Sequence, residues 1–325
     1  MSFLGSIKKA ARKNNAVRRL ISIRDLRRFR AVNSPRRLIF EPISACNYRC
    51  PKCIYPEMER AKRPVDLEKF RLFLTNWNST YGPFESVEFT GAGEVLSFSG
   101  FVEMVAIGAQ VMPSMRMVTT SNMGLFDVDT ARKLVQNGLR SWQVSLDSVD
   151  PAEYALMVGV KSASVEKILK DIAALWQILQ ENPSPLNRLA ILAHRPLDAD
   201  YDRKCDEIES AVKGICSEFS RSPYQSLNGR KLEEQFVLSE KLLYRSDRYP
   251  MPCAYLWTDL VVLNDGTVRI CCSDMFDSPV NFGNVFTDTP QQIVANLTRR
   301  EYQAAHETNR IGSLYLCDKC HAPHS

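Results

Sequence analysis

No apolar run in the 325 residues approaches the roughly 20 that a membrane-spanning helix needs. The basic opening, MSFLGSIKKAARKN, also lacks the apolar stretch and small-residue cleavage site of a secretory signal. Both absences point to the cytoplasm, where thiols stay reduced and disulfides are rare. There is no internal repeat and no low-complexity segment, so repeat architectures are set aside. Positive charge is scarce outside one arm. Residues 1–37 carry twelve Lys or Arg against one acid, a net of +11, and the rest carries 30 basic and 36 acidic residues, a net of −6. No nucleic-acid partner is expected.

What is present is an ordinary globular composition, 45% apolar and 24% charged, in a chain long enough for one large domain and a smaller one. Its unusual feature is ten cysteines, at 46, 50, 53, 205, 216, 253, 271, 272, 317 and 320. Eight fall into two sets, for which metal binding is the first expectation. Cys205 and Cys216 read instead as small core hydrophobes; on a single helix they would share one face.

From Phe3 to Val32 the pattern predicts a basic, amphipathic helix, with NNA at 14–16 as a weak point. Such a segment can lie on an anionic membrane or an acidic partner, or pack across the end of the main domain. Next, apolar strands at 37–43, 86–90, 115–120, 141–147 and 188–194 alternate with helical stretches at 66–77, 99–111, 127–138 and 164–179. Asp127 and Ser164 are N-caps and Gly138 a stop. A weaker sixth repeat follows residue 205. The alternation predicts an α/β fold with a parallel sheet, either an open barrel or a doubly wound sheet. Polar residues 221–232 read as a linker, and 258–272 as a β-hairpin around Asn264-Asp265-Gly266.

The first cysteine set, CNYRCPKC at 46–53, has the spacing C-x3-C-x2-C on the loop leaving the first strand. Three thiolates for a four-iron cluster leave one iron open to a chelating small molecule. Later strands end in FTGAGEVL (89–96), TTSNMGLF (119–126) and VSLDS (144–148), and polar groups at successive strand ends are where a parallel barrel builds its site. In this order the segments resemble those of the radical S-adenosylmethionine (SAM) enzymes. That resemblance implies a partial (β/α)6 TIM-type barrel over 37–232, preceded by the basic arm 1–36. It implies a [4Fe-4S] cluster on Cys46, Cys50 and Cys53. SAM would lie against Tyr48, Gly91, Ala92, Gly93, Glu94, Ser121, Asn122, Ser145 and Asp147. Two letters depart from the family pattern: Lys52 stands where an aromatic or apolar residue is common, and YALMVGV (154–160) lacks the family's arginine.

The second set, Cys253, Cys271, Cys317 and Cys320, combines a C-x17-C around the hairpin with a distant C-x2-C. It resembles the SPASM/Twitch extension of the same family, a small α+β domain over 233–325 holding one auxiliary [4Fe-4S] cluster. Four cysteines also suit zinc. Adjacent residues of a strand face opposite ways, so of Cys271 and Cys272 one is the ligand. Spacing selects Cys271, which leaves Cys272 as a spare thiol for catalysis. His321 and His324 follow closely on the last pair.

The resemblance implies reductive cleavage of SAM to a 5′-deoxyadenosyl radical and hydrogen abstraction. The substrate is expected to be a sugar, aminosugar or aminocyclitol, dehydrogenated or epimerised, with a flavodoxin or ferredoxin-type electron donor. A peptide-modifying maturase is the alternative enzyme. An electron carrier or zinc module is the alternative from another class, disfavoured because neither needs the segments at 91–94, 121–124 and 144–147.

Overall fold

The computed structural model of the chain describes residues 15–51, 53, 55–195, 199–223, 252–275 and 278–320. The first fourteen residues of the arm, Lys52, most of the 221–232 stretch, His321 and His324 lie outside the described residues.

Six strands follow one another in the sheet in chain order: β1 (Arg37–Phe40), β2 (Ser86–Phe89), β3 (Arg116–Ser121), β4 (Leu139–Ser145), β5 (Arg188–Arg195) and β6 (Glu218–Pro223). All five neighbouring pairs are parallel. A doubly wound sheet reverses its strand order at a switch point, whereas a barrel runs sequentially. The order therefore decides between the two expected architectures, and it is that of a barrel. Among the described residues β6 and the C-terminal β8 (Val268–Arg269) are the edges of the sheet, which leaves the barrel open there.

Helices between the first six strands cover one face of the sheet. α1 (Asn15–Arg30) precedes the sheet, and α2 (Leu67–Tyr81), α3 (Phe101–Val111), α4 (Val128–Gln136), α5 (Pro151–Val158), α6 (Val165–Glu181) and α7 (Tyr201–Ala211) connect the strands. Their starts are written in short polar side chains. Asp66, Asp127, Asp150 and Ser164 each accept a backbone N–H of the first turn. Gly138, at φ 100°, turns the chain after α4 into β4. α5 goes beyond the sequence pattern: its Asp150 cap and Pro151 at the first turn were legible, but eight residues give little periodicity.

Strand residues alternate between two faces. One face, with Leu38, Phe40, Val87, Phe89, Trp142 and Val144, packs under the helices in the main core. Trp77 and Trp142 are at most 1% exposed, and truncating such a side chain costs about 3–5 kcal/mol. The opposite face lines the barrel interior. It carries Ile39, Glu41, Glu88, Thr120, Gln143 and Ser145, a mostly polar set.

The C-terminal region joins the same sheet. After α8 (Tyr255–Thr258), β7 (Asp259–Val262) pairs parallel with β1, and β8 returns antiparallel, so the predicted hairpin extends the barrel wall. Gly266 makes the turn at φ 87°, where a Cβ would come within 2.4 Å of Asn284 Oδ1. α9 (Pro290–Val294) and α10 (Leu297–Glu307) complete this part.

Three local expectations change. α7 ends at Ala211, so Cys205 and Cys216 share no helix; Cys205 is fully buried, and Cys216 lies in the following turn with Sγ 3.4 Å from the Val212 carbonyl. Cys271 and Cys272 lie beyond β8, in a turn, so strand alternation does not separate them. In α1 the buried edge is Ser22, Leu26 and Phe29, while Leu20 and Ile23 are 68% and 43% exposed. Phe29 stacks on Trp257 with centroids 5.3 Å apart, and Arg30 makes a two-pronged ion pair with Glu307 at 3.0 and 2.7 Å. The described part of the arm thus packs across the C-terminal region.

Candidate active site

At the C-terminal end of β1 the chain runs into the three-cysteine loop. Cys53 N–H donates to the Cys50 carbonyl at 2.9 Å, curling the loop. The Tyr48 and Tyr55 amides each lie 3.4 Å from a cysteine sulfur, Cys46 and Cys53 respectively. Burial pushes the Cys46 thiol up to about 11. Iron can replace such a proton, and the amides aimed at sulfur favour the thiolate that results. The donor set fits an iron–sulfur cluster.

GAGE lies directly on this loop. Ala92 is buried with Tyr55 and Met58 against Cys46 and Cys53. A Cβ on Gly93 would come within 2.3 Å of the Ile43 carbonyl and 2.6 Å of the Ala45 carbonyl, so only glycine permits this approach. Glu94 N–H donates to the Ala45 carbonyl at 2.9 Å. The Glu94 carboxylate then collects Ser121 Oγ at 2.7 Å, Asn122 N–H at 2.8 Å and Leu96 N–H at 3.1 Å. Burial raises its pKa, and these three donors oppose the rise. Asn122 Nδ2 donates to Asn47 Oδ1 at 3.0 Å and lies 3.8 Å from Cys46 Sγ. Tyr48 is buried with its hydroxyl 3.3 Å from that of Tyr154, and Gly124 packs where any Cβ would strike the Tyr48 hydroxyl at 2.6 Å. Tyr48, GAGE, Ser121 and Asn122 are thus one assembly around the three thiols.

The fourth strand contributes differently. Ser145 is half-buried at the end of β4, and its hydroxyl makes no hydrogen bond among the described residues. Asp147 is 5% exposed, and its Oδ1 accepts the His194 N–H at 2.8 Å, tying the end of β4 to β5.

Sequence reasoning missed Glu41. It is fully buried at the end of β1 and paired with Arg60 at 2.7 and 2.5 Å. Its carboxylate also accepts Ala92 N–H at 2.9 Å and Asn264 N–H at 3.3 Å. Asn264 in turn donates to Ser44 Oγ at 3.2 Å and accepts from Arg60 at 3.0 Å. One carboxylate therefore joins the cysteine loop, GAGE and the C-terminal hairpin. Its only signal in the sequence was an acid inside the apolar RLIFEPI.

The second thiol set gathers behind the hairpin. Cys253 is held through its N–H to His306 Nδ1 at 3.4 Å, and Cys320 N–H donates to the Cys317 carbonyl at 3.4 Å. Burial pushes Cys253 up to about 12 and raises Cys271 and Cys317, each further raised by its neighbours in the set. Leu316, just before Cys317, takes φ 72°, a conformation that costs a non-glycine residue of order 1–3 kcal/mol. Among the described residues no three His, Cys, Asp or Glu side chains converge as a single ion requires. Four cysteines suit a closed iron–sulfur cluster, one to each iron, and also a tetrahedral zinc ion. Cys271 is packed against the core, while Cys272 is exposed with Sγ 3.2 Å from the Tyr255 hydroxyl.

Residues 40–176 match the model of the radical SAM superfamily, and residues 253–321 that of an iron–sulfur cluster-binding (SPASM) domain. The chain belongs to the radical SAM superfamily. The first domain implies SAM and a [4Fe-4S] cluster, and the second implies auxiliary iron–sulfur clusters. A GTP 3′,8-cyclase from Microcystis aeruginosa is 34% identical over 125 residues, 38% of this chain and 37% of the cyclase. The shared stretch is thus little over a third of either protein. BtrN, solved in complex with AdoMet and 2-DOIA, matches with a TM-score of 0.58 and 14% identity, over 89% of this chain and 94% of BtrN. SuiB of Streptococcus suis, solved with the precursor peptide SuiA, matches with a TM-score of 0.65 and 14% identity, over 89% of this chain and 71% of SuiB. At that identity the likeness is one of fold. Among the described residues no helix is long and apolar enough to cross a membrane.

Proposed function

We propose that this radical SAM enzyme abstracts a hydrogen atom from a carbohydrate or aminocyclitol-type small molecule and dehydrogenates or epimerises it. The observation that carries the reading is the pairing of two unlike thiol sets. Three cysteines lie under a glycine-rich cradle, and a separate four-cysteine set lies behind the hairpin that Glu41 ties to that cradle. Cys46, Cys50 and Cys53 would hold the open cluster, and Cys253, Cys271, Cys317 and Cys320 a closed one. A reduced cluster held by these three cysteines would supply the electron for reductive cleavage of SAM to methionine and a 5′-deoxyadenosyl radical.

The protein's part is to aim and enclose. Gly91 and Gly93 let backbone approach the methionyl end of SAM, and Glu94 holds the Asn122 amide and Ser121 hydroxyl in place. Ser145 leaves its hydroxyl available for a ribose, with Asp147 fixing the strand end beside it. Dehydrogenation requires the substrate radical to lose a proton and one electron, for which a fully ligated cluster is a suitable acceptor. Cys272, whose exposed thiol meets Tyr255, is the available hydrogen donor for epimerisation. The near-complete coverage of BtrN supports a small-molecule substrate. A second reading, peptide modification, is favoured by the higher TM-score to SuiB. An outside electron donor of flavodoxin or ferredoxin type is required. The exposed arginines of α1 offer an acidic partner or an anionic membrane a contact, and ten free thiols suit the cytoplasm.

The test is anaerobic reconstitution with iron and sulfide, followed by SAM and a reductant. We expect 5′-deoxyadenosine from the wild type. Cys50→Ala should abolish it and reduce iron from about eight to about four per chain. Intact clusters without SAM cleavage would overturn the reading. With substrate, deuterium entering a C–H position from solvent identifies an epimerase, and a carbonyl product a dehydrogenase.

A further inference from the structure

Among the described residues, three carboxylates at inward-facing strand positions of the barrel meet a cation. Glu41 is paired with Arg60 at 2.5 Å, Asp259 with Arg37, and Glu218 with Arg188 at 2.5 Å. Glu88, the third residue of β2, forms no ion pair among the described residues. The one hydrogen bond of its carboxylate within them comes from Thr120 Oγ1 on β3, 3.2 Å from Oε1. Arg37 and Arg188 are near enough to act on it, but both are committed to other acids. Across the interior stand Tyr255 and Cys272, whose thiol feels the Glu88 charge. Beside them is the small apolar cluster of Ile39, Val261, Leu263 and Met275. Burial raises the Glu88 pKa, as expected of a carboxylate lacking a close counter-charge.

An enclosed carboxylate without a cation is unfavourable for the free protein and favourable for a ligand that brings one. Its position suits a ligand. Glu88 precedes Gly91 by three residues on the strand that ends in GAGE, and Thr120 precedes Asn122 by two on the strand that ends in SNMG. At about 3.3 Å per residue, both lie roughly 7–10 Å below the proposed SAM cradle, within reach of one sugar-sized molecule.

We propose that Glu88 and Thr120 form a substrate subsite that binds a protonated amine. Glu88 accepts from the ammonium group, and Thr120 orients the carboxylate. This deepens the reading of a small-molecule substrate above and narrows it to amine-bearing members of that class.

Isothermal titration of the reconstituted, SAM-loaded protein with glucosamine and with N-acetylglucosamine separates the amine from the neutral amide. The wild type should prefer the amine by roughly 10- to 100-fold, the range of a hydrogen bond to a charged group. Glu88→Gln should bind both alike, with unchanged cluster absorbance and circular dichroism. Glu88→Asp keeps the charge with a shorter reach and should retain the preference at weaker affinity, which guards against a variant that misfolds. An undiminished amine preference in Glu88→Gln, or no amine binding by the wild type, overturns the subsite. SAM cleavage separates this from the underlying reading. If 5′-deoxyadenosine still forms, only the subsite falls; if the wild type makes none, the radical chemistry falls with it.

Discussion

Arg195, at the end of β5, is 1% exposed, a burial that a guanidinium tolerates only beside an anion. The anion is Glu153 of α5, which accepts from Arg195 Nη2 at 2.8 Å, from Ser148 Oγ at 2.5 Å and from Lys204. Arg195 also donates to the Asp147 carbonyl, so this network holds the strand end where Ser145 stands. Partial burial would raise the Glu153 pKa, but the Arg195, Lys204 and Ser148 hydrogen bonds bring it down to about 2. Because the folded value lies below the ordinary 4.5, the stability it contributes is complete above pH 4.5 and is lost as pH falls toward 2. Glu153→Gln should therefore cost about 3 kcal/mol at neutral pH, much of it from a stranded Arg195. The gap from wild type should shrink below pH 4.5. Thermal unfolding from pH 7 to pH 3 reads this directly, and a gap that stays constant would remove the carboxylate from the account. No residue in VDPAEY announces the role, because the partner that defines it lies 42 positions away.

At the scale of elements, the site is a set of loops held together by one buried pair. Glu41 and Arg60 flank the cysteine loop in the chain, and both reach Asn264 of the hairpin. Removing one member leaves a buried charge, so Glu41→Gln and Arg60→Met should each cost about 3–5 kcal/mol, with lower retention of reconstituted iron. The double variant should cost clearly less than the sum, since it strands neither charge. Additive losses in denaturant unfolding would show that the pair does not act as a unit. The elements themselves were largely legible. Strand positions at 37, 86, 116 and 188, and the caps Asp127 and Ser164, follow from apolar runs and from side chains that bond their own first turn. Misreadings arose where local pattern was short or ambiguous. CDEIESAVKGIC continues a helical rhythm past Ala211, yet the chain turns at Gly214, φ 83°. β8 is two residues long and stops before the cysteines it was expected to present.

Across the whole molecule, the SPASM domain is built into the barrel wall rather than hung from it. β7 lies against β1 in register from Arg37–Asp259 to Phe40–Val262, and α1 packs over the same region through Phe29 and Trp257. The two thiol sets are therefore parts of one framework, and they can be separated chemically. Cys317→Ser should lose the auxiliary cluster, about half the iron, while the three-cysteine loop keeps its own. In that variant 5′-deoxyadenosine should still accumulate without oxidised product. Chromatography of both products tests the division, and equal loss of the two would show that the second set serves the first rather than the substrate radical.

The order of short motifs along the chain was enough to show the resemblance to the superfamily, and local pattern the strand–helix alternation and the two thiol sets. Ligands on one loop, caps and periodic faces depend on residues a few positions apart, and residue order records such relations directly. Tertiary structure decided the rest: the sequential strand order of an open barrel, the hairpin joined to β1, and the Glu41–Arg60–Asn264 link. It also placed Glu88 in the middle of β2 with no ion pair among the described residues. Each of these depends on which distant groups burial brings together. A carboxylate's role is set by the cation or hydrogen-bond donor that meets it, and no local spacing names that partner.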